Sequence, residues 1–375
     1  MPVLAVIKSL RRLDPNLSTF FVGSRFGIES TLIPKMGIKY YGISAGKFRR
    51  YHRSKILNII DPTTLFKNIS DMMKFFSGVK EARKILSLEA PDVLFAKGGF
   101  VSLPVAYAAR SLKIPVVNHE SDLVMGLANR KISNFSEKVC VSFPKENFPD
   151  IKAEKIVETG NPIRDDIMMG DKRRLFSEIG FQKDKKTILV LGGSQGSLFL
   201  NEAILSIIDD LLKDYQIIMV AGERDADYVT YKTKELAAEL KKSLKIYGFL
   251  TSEIADVYAA ADMAITRAGS NVLFELAVLG VPSILVPHDV SPGGHQFENA
   301  RLFSRSGAAY LFKQDDLTPR KLLRHINLLM SNDKELAAMG EKMKKWSDPN
   351  SADKVSRVVI EVGRQNEKNR ESKKK

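Results

Sequence analysis

Three observations predict an α/β protein built of two doubly wound domains facing across a cleft. Short β-branched or apolar runs alternate with segments of helical period, the pattern of parallel strands wrapped by helices. The alternation breaks once, at ETGNPIRDDI, where Gly160, Asn161 and Pro162 cluster as a turn, and then starts afresh. A chain of 375 residues is also too long for one compact core, so each series has its own.

In the first series STFFV (18–22), KYYGI (39–43), DVLFA (92–96), PVVN (115–118) and KVCVSF (138–143) read as strands. In the second the strands are TILVL (187–191), QIIMV (216–220), KIYGF (245–249), MAITR (263–267) and PSILVP (282–287). The predicted division is an amino-terminal domain over 1–162, a second domain over 163–340, a helix over 341–363 that packs back on the first domain, and a basic tail over 364–375 without fixed structure. PVLAVIKSLRRL has apolar residues at 3, 4, 6, 7, 10 and 13, a helical spacing closed by Asp14-Pro15. A doubly wound domain ordinarily opens with a strand and a phosphate-facing loop ahead of such a helix. The expectation is therefore that the chain starts at an internal methionine.

Lysine and arginine number 58 against 44 aspartates and glutamates, a net charge of +14. The surplus is uneven: residues 1–162 hold 25 basic and 14 acidic side chains, and residues 163–375 hold 33 and 30. Every charge from Lys35 to Lys55 is positive, which places a polyanionic partner at the first domain. Cys140 is the single cysteine, so no intramolecular disulfide forms, and its apolar setting reads as a core thiol in a reducing compartment. No segment approaches the ~18 uninterrupted apolar residues of a membrane span.

The strongest chemical signal is TILVLGGSQGSLFLNEAILSII: a strand, then Gly192, Gly193, Ser194, Gln195 and Gly196, then an apolar-faced helix. Glycines at such a turn let backbone amides approach a diphosphate, and the helix dipole adds to the attraction. The pattern is neither G-x-G-x-x-G nor a P-loop, because no GKS or GKT follows, which disfavours hydride transfer and ATP hydrolysis. A second strand–loop–helix follows in MAITRAGSNVLFELA, with Ala268, Gly269 and Ser270 in the loop and Glu275 in the helix, where a carboxylate can accept ribose hydroxyls. His295 and Gln296 open a helix after a flexible glycine loop and suit the hydroxyls of a neutral hexose. In the first series Lys97, Gly98 and Gly99 follow one strand and His119, Glu120 and Asp122 another, at the carboxyl edge where open sheets bind ligands. The latter three form either a general base for a hydroxyl or a loop-stabilising hydrogen-bond set. Asp225-Ala226-Asp227 reads as a helix start, and no cluster has metal-ligand spacing.

Taken in order, FAKGGFVS, HESD with GLANR, TGNPIR, GGSQGS, TRAGSNVLFELA and GHQFENA resemble the MurG family over about residues 1–340. The resemblance implies a GT-B fold of two Rossmann-like domains and an inverting glycosyltransferase. Such an enzyme moves N-acetylglucosamine from UDP-N-acetylglucosamine to the C4 hydroxyl of undecaprenyl-diphospho-muramoylpentapeptide in peptidoglycan synthesis. It further implies that Ser194 and its glycine neighbours hold the diphosphate and Arg164 reaches the donor. Leu250 places its backbone against uracil, Glu275 holds the ribose, and Gln296 with His295 reads the sugar. No tightly bound metal or other cofactor is implied.

Two departures stand out. HESD carries Asp122 where many members have asparagine, and the family's GGTGGH loop would come just before the helix that opens this chain. The resemblance thus predicts an amino-terminally truncated gene model, poorly folded or inactive on its own. Lys47, Arg49 and Arg50, followed by ILNIIDPTTLFKNISDMMKFF, are expected to meet the anionic cytoplasmic face of a bacterial plasma membrane. The competing readings are a GT-B transferase acting on diacylglycerol and a basic nucleic-acid-binding protein. The second is disfavoured because no RNA-binding module is recognisable, and no nucleic-acid partner is expected.

Overall fold

The computed structural model describes residues 2–27, 29–46, 62–193, 196–251, 253–289 and 291–372, with backbone alone at 62–69 and 292. The chain divides into two compact units, one formed by Gly160–Ser351 with Met1–Ala5 and Asp122–Val124, the other by Val6–Ser121, Met125–Thr159 and Ala352–Lys375. The second holds β1 (Phe20–Ser24), β2 (Lys39–Ile43), β3 (Leu94–Ala96), β4 (Val116–Glu120), β5 (Lys138–Val141) and β6 (Ile156–Glu158). The first holds β7 (Thr187–Leu191), β8 (Gln216–Val220), β9 (Leu244–Tyr247), β10 (Met263–Thr266), β11 (Ser283–Leu285) and β12 (Ala309–Leu311).

In the carboxyl-terminal unit the strand order is β12-β11-β10-β7-β8-β9, parallel throughout. Every residue of β7 and β8 is buried. Strands covered on both faces read as unbroken apolar runs, which is why TILVL and QIIMV do not alternate. Thr187 and Gln216 are the polar exceptions; the Gln216 amide donates to the carbonyls of Gln182 (3.0 Å) and Lys185 (3.1 Å) while its oxygen accepts from the Gln182 amide. Ile188, Val190, Met219 and Ile265 from the strands pack with Leu200, Ile204 and Ile326 from helices. Leu200 is fully buried, so truncation to alanine costs about 2–5 kcal/mol. Strand order reverses between β7 and β10, where Leu191 pairs with Thr266 and the Thr266 hydroxyl donates to the Leu191 carbonyl (3.1 Å). The loops after these strands therefore leave side by side at the switch point where open α/β sheets take ligands.

The amino-terminal unit contains a two-stranded sheet, β1-β2, and a four-stranded sheet, β3-β4-β5-β6, both parallel. Among the described residues no strand joins β1 to β3. The two sheets nonetheless share a core, in which Phe20 and Val22 pack against a cluster containing Ile43, Leu86, Ala96 and Val116. Helix Ser351–Ser372 belongs to this unit through Val355, Val358, Val359 and Val362, which cluster with Val6, Leu10, Val117 and Cys140. The Ser356 hydroxyl donates to the Val6 carbonyl (3.2 Å), and Ser9 donates to Asp353 (2.6 Å). Burial pushes the Cys140 thiol up to about 12, as befits a core residue.

Several boundaries differ from the sequence expectation. The helix expected over 341–363 is broken at Asp348-Pro349-Asn350, separating Asp333–Lys344 from Ser351–Ser372, because proline and its neighbours close one helix and admit the next. The tail expected to lack structure continues that last helix through Ser372, with Arg370 paired to Asp92 (3.0 Å). Strands β6 and β12, of three residues each, were not among the strands expected from the sequence. Strand β11 stops short of Pro282 and Pro287 at either end, where proline has no amide to give the ladder.

Candidate functional site

The turn after β7 is shaped by glycines that no other residue could replace. A Cβ on Gly192 would lie 2.6 Å from the Ser197 amide nitrogen, and one on Gly196 would lie 2.5 Å from the Ala221 carbonyl. Gly193 and Gly196 also take φ of 84° and 76°, the left-handed region glycine enters without strain. Ser197 then caps helix Leu198–Leu205 by accepting from the Leu200 amide (3.3 Å). The result is a tight glycine turn running into a helix start at the switch point, the kind of place that suits a diphosphate. Ser194 and Gln195, the tip of this turn, lie outside the described residues.

The sequence reading passed over Arg267, the first residue after β10. It is buried, with Nε donating to Ser197 Oγ (2.9 Å) and Nη1 to the carbonyls of Val286 (2.9 Å) and Pro287 (3.3 Å) and to Gln314 Oε1 (2.5 Å). One guanidinium thus ties the glycine turn to two other loops, and burial lowers its pKa from the usual value. The signal available in the sequence was a lone arginine immediately after an apolar strand.

Ala268 is fully buried, Gly269 leaves open space where a side chain would stand, and Ser270 begins helix Ser270–Leu279. One turn on, Glu275 accepts from the hydroxyl of Tyr258, whose oxygen stands 2.9 Å from Oε2. Burial raises the Glu275 carboxyl above its ordinary range, opposed by the Tyr258 hydrogen bond and the Arg164 charge. Arg164, itself mostly buried, pairs with Asp166 at 3.2 Å. Leu250 is buried in the loop beyond β9. Helix His295–Arg305 starts behind Gly293 and Gly294 at φ 69° and 70°, and Gln296 Oε1 accepts from the His288 amide (2.9 Å). Apart from Arg164, which lies between β6 and β7, the described residues expected around a nucleotide sugar lie in the loops and helices that follow β7, β9, β10 and β11, within one unit.

The acceptor-side residues divide. Ala96 pairs with Asn118, so Lys97 leaves β3 beside His119, which is still within β4, and Lys97 Nζ lies 2.8 Å from His119 Nδ1 and also bonds Ser121. Gly98 takes φ 84°, and a Cβ there would stand 2.6 Å from the Asn129 amide; Gly99 follows at φ 85°. Glu120 is buried, and its carboxylate accepts from the amides of Ser121 (2.8 Å) and Gly126 (2.9 Å) and from Asn129 Nδ2 (2.9 Å). His119 is fully buried as well. Of the two openings left by the sequence, these two residues fit the loop-stabilising set better than a general base. Asp122 is only partly buried and accepts from Asn299 Nδ2 (2.9 Å) within its own unit.

Asp225 accepts from Asn201 (3.4 Å) and Arg224 (3.1 Å) at the start of helix Ala226–Lys232, a structural use of that aspartate. Among the described residues no group of three histidine, cysteine or carboxylate side chains could hold a metal ion. Lys47, Arg49 and Arg50 lie outside the described residues. No helix among the described residues is long and apolar enough to cross a membrane. Helix Pro62–Glu89 does expose Met72, Met73 and Phe76.

Two α/β units with parallel sheets, the second with a glycine turn at its switch point, define a class: the two-domain glycosyltransferases of GT-B type. The family model for the glycosyltransferase family 28 N-terminal domain matches residues 1–141, and that for the C-terminal domain matches 187–355. The chain is 40% identical over 332 residues to the UDP-N-acetylglucosamine–N-acetylmuramyl-(pentapeptide) pyrophosphoryl-undecaprenol N-acetylglucosamine transferase of Clostridium perfringens strain SM101, covering 88% of this chain and 87% of that protein. The Clostridium botulinum strain Kyoto enzyme of the same name is 37% identical, with the same coverage. The crystal structure of Acinetobacter baumannii MurG superposes with a TM-score of 0.72 at 26% identity, over 96% of this chain and 95% of that one. The chain belongs to the MurG family.

Proposed function

We infer that the protein is an inverting hexosyltransferase that moves N-acetylglucosamine from UDP-N-acetylglucosamine to the C4 hydroxyl of an undecaprenyl-diphosphate-linked muramoylpentapeptide. The observation that carries this reading is the 40% identity over 88% of the chain to a relative bearing that activity in its name. The switch-point geometry supports it. The donor's diphosphate meets the amides of the glycine turn and the start of helix Leu198–Leu205, which stabilise the charge that develops as UDP leaves. The acceptor oxygen attacks C1 from the face opposite the departing phosphate, so an α-linked sugar becomes β-linked. Asp122 is the best-placed of the three proposed bases to take the hydroxyl proton, being the one with accessible surface.

The same reading sets the protein at the cytoplasmic face of the plasma membrane, held peripherally. The exposed Met72, Met73 and Phe76 support shallow insertion, and cations of the 35–55 stretch would meet anionic headgroups. Incubation with UDP-N-acetylglucosamine, the undecaprenyl acceptor and, separately, diacylglycerol tests the proposal. Transfer to the undecaprenyl acceptor alone is expected. Transfer to diacylglycerol, or salt-sensitive RNA binding without UDP-sugar binding, would replace it.

A further inference from the structure

We propose that Tyr258 is the positioning residue for Glu275, orienting the carboxylate that receives the donor's ribose hydroxyls. The inference rests on the reading of Glu275 as the ribose acceptor. Tyr258 is 1% exposed, the largest fully buried side chain among the described residues. A phenol buried that deeply needs an acceptor. Here the acceptor is Glu275 Oε2 at 2.9 Å, on the neighbouring helix Ser270–Leu279. An untethered glutamate spreads over many rotamers. With Oε2 held, rotation of the side chain is restricted, and Oε1 keeps its lone pairs for two vicinal hydroxyls.

The helix that carries Tyr258, Ile254–Ala260, is itself fixed. Asp256 accepts from the Asp171 amide (2.6 Å) and from Arg174 Nε (2.8 Å) and Nη2 (2.7 Å). Gly170 passes so close that a Cβ there would stand 2.0 Å from the Ala255 carbonyl. These contacts lock the helix against Gly170 and the start of helix Lys172–Ile179, directly after the turn Asp165–Met169 that Arg164 precedes. The phenol therefore reaches Glu275 from a rigid support, the condition under which a supporting hydrogen bond improves the geometry of a binding group. Tyr258 touches no donor atom in this scheme and acts through the carboxylate alone.

Titration calorimetry of the full chain with UDP and with 2′,3′-dideoxy-UDP isolates the ribose contribution. Tyr258→Phe is expected to weaken UDP about 5- to 10-fold, the scale of one hydrogen bond to a charged group, while leaving the dideoxy nucleotide within about twofold. In a Glu275→Ala background the same substitution should add nothing. Steady-state kinetics should show KM rising with kcat nearly constant. Equal weakening of both nucleotides would mean general loss of packing and overturn the inference. So would a Tyr258→Phe protein that binds UDP like the parent while Glu275→Ala is weakened, an outcome that leaves the ribose reading intact. If Glu275→Ala binds both nucleotides like the parent, the ribose reading itself fails. Glu275→Gln keeps the Tyr258 packing and a hydrogen-bond acceptor, so it should lose less UDP affinity than Glu275→Ala. Equal losses would overturn the inference even if Tyr258→Phe does not fold.

Discussion

Replacing Arg267 with alanine should cost the carboxyl-terminal unit about 3–5 kcal/mol, the range for removing one member of a buried charged network. The substitution deletes a guanidinium that donates to Ser197 Oγ, to the Val286 and Pro287 carbonyls and to Gln314. Each buried carbonyl left without a donor costs about 1–3 kcal/mol, and two are left here. Part of that is offset, because the buried cation is itself poorly solvated, as its lowered pKa indicates. Urea denaturation followed by tryptophan fluorescence measures the effect in the right place. Trp346 is the sole tryptophan, stacked on Phe303 at 5.2 Å within the same unit. The midpoint should fall by roughly 1–2 M urea for a slope of about 2–3 kcal/mol/M. Arg267→Lys retains charge but lacks the planar fork, so it should recover only part of the loss. An unfolding free energy within about 1 kcal/mol of the parent for Arg267→Ala would refute the assignment of Arg267 as the clamp of the glycine turn.

Other consequences follow from the same structure. Burial holds the Glu275 carboxyl above its ordinary range, so stability is lost as pH rises from that range through the folded-state value. Glu275→Gln should therefore be more stable than the parent at neutral pH, with the gap closing below about pH 4; a gap independent of pH would contradict the burial argument. Replacing Met72, Met73 and Phe76 with serine should reduce sedimentation with anionic vesicles about tenfold or more without lowering the thermal midpoint, since all three side chains are exposed. Unchanged vesicle binding would count against membrane docking by this helix. The Cys140 thiol should react with a disulfide reagent on the order of 100-fold more slowly in native buffer than in urea, because burial keeps it protonated and inaccessible; equal rates would show that the amino-terminal core is open.

The sequence was most legible where the physics is local. TILVL, QIIMV and KYYGI match strands β7, β8 and β2 residue for residue, because each is a short apolar or aromatic run closed by turn residues. The glycine turn was legible as a turn for the same reason, but its close contacts, Gly192 on Ser197 and Gly196 on Ala221, are made within the chain and were not visible in the spacing. Arg267 and Tyr258 were not legible. Their importance comes from partners 17 to 70 positions away, Glu275 and Ser197, which only the fold brings near. His119 and Glu120 show the converse limit. Their residue types left acid–base chemistry and a loop-stabilising set both open, and the loop amides and Asn129 that bond Glu120 were invisible in the motif.

The separation of β1-β2 from β3-β4-β5-β6 sets how the amino-terminal unit comes apart. A two-stranded ribbon is marginal by itself and here depends on Phe20 and Val22 packing against the shared core. Amide hydrogen exchange should find β1 and β2 opening at lower free energy than β4 and β5, whose ladders are flanked on both sides. Each such opening would bare strand edges that other chains can pair with, making this ribbon the place where aggregation starts under mild heat.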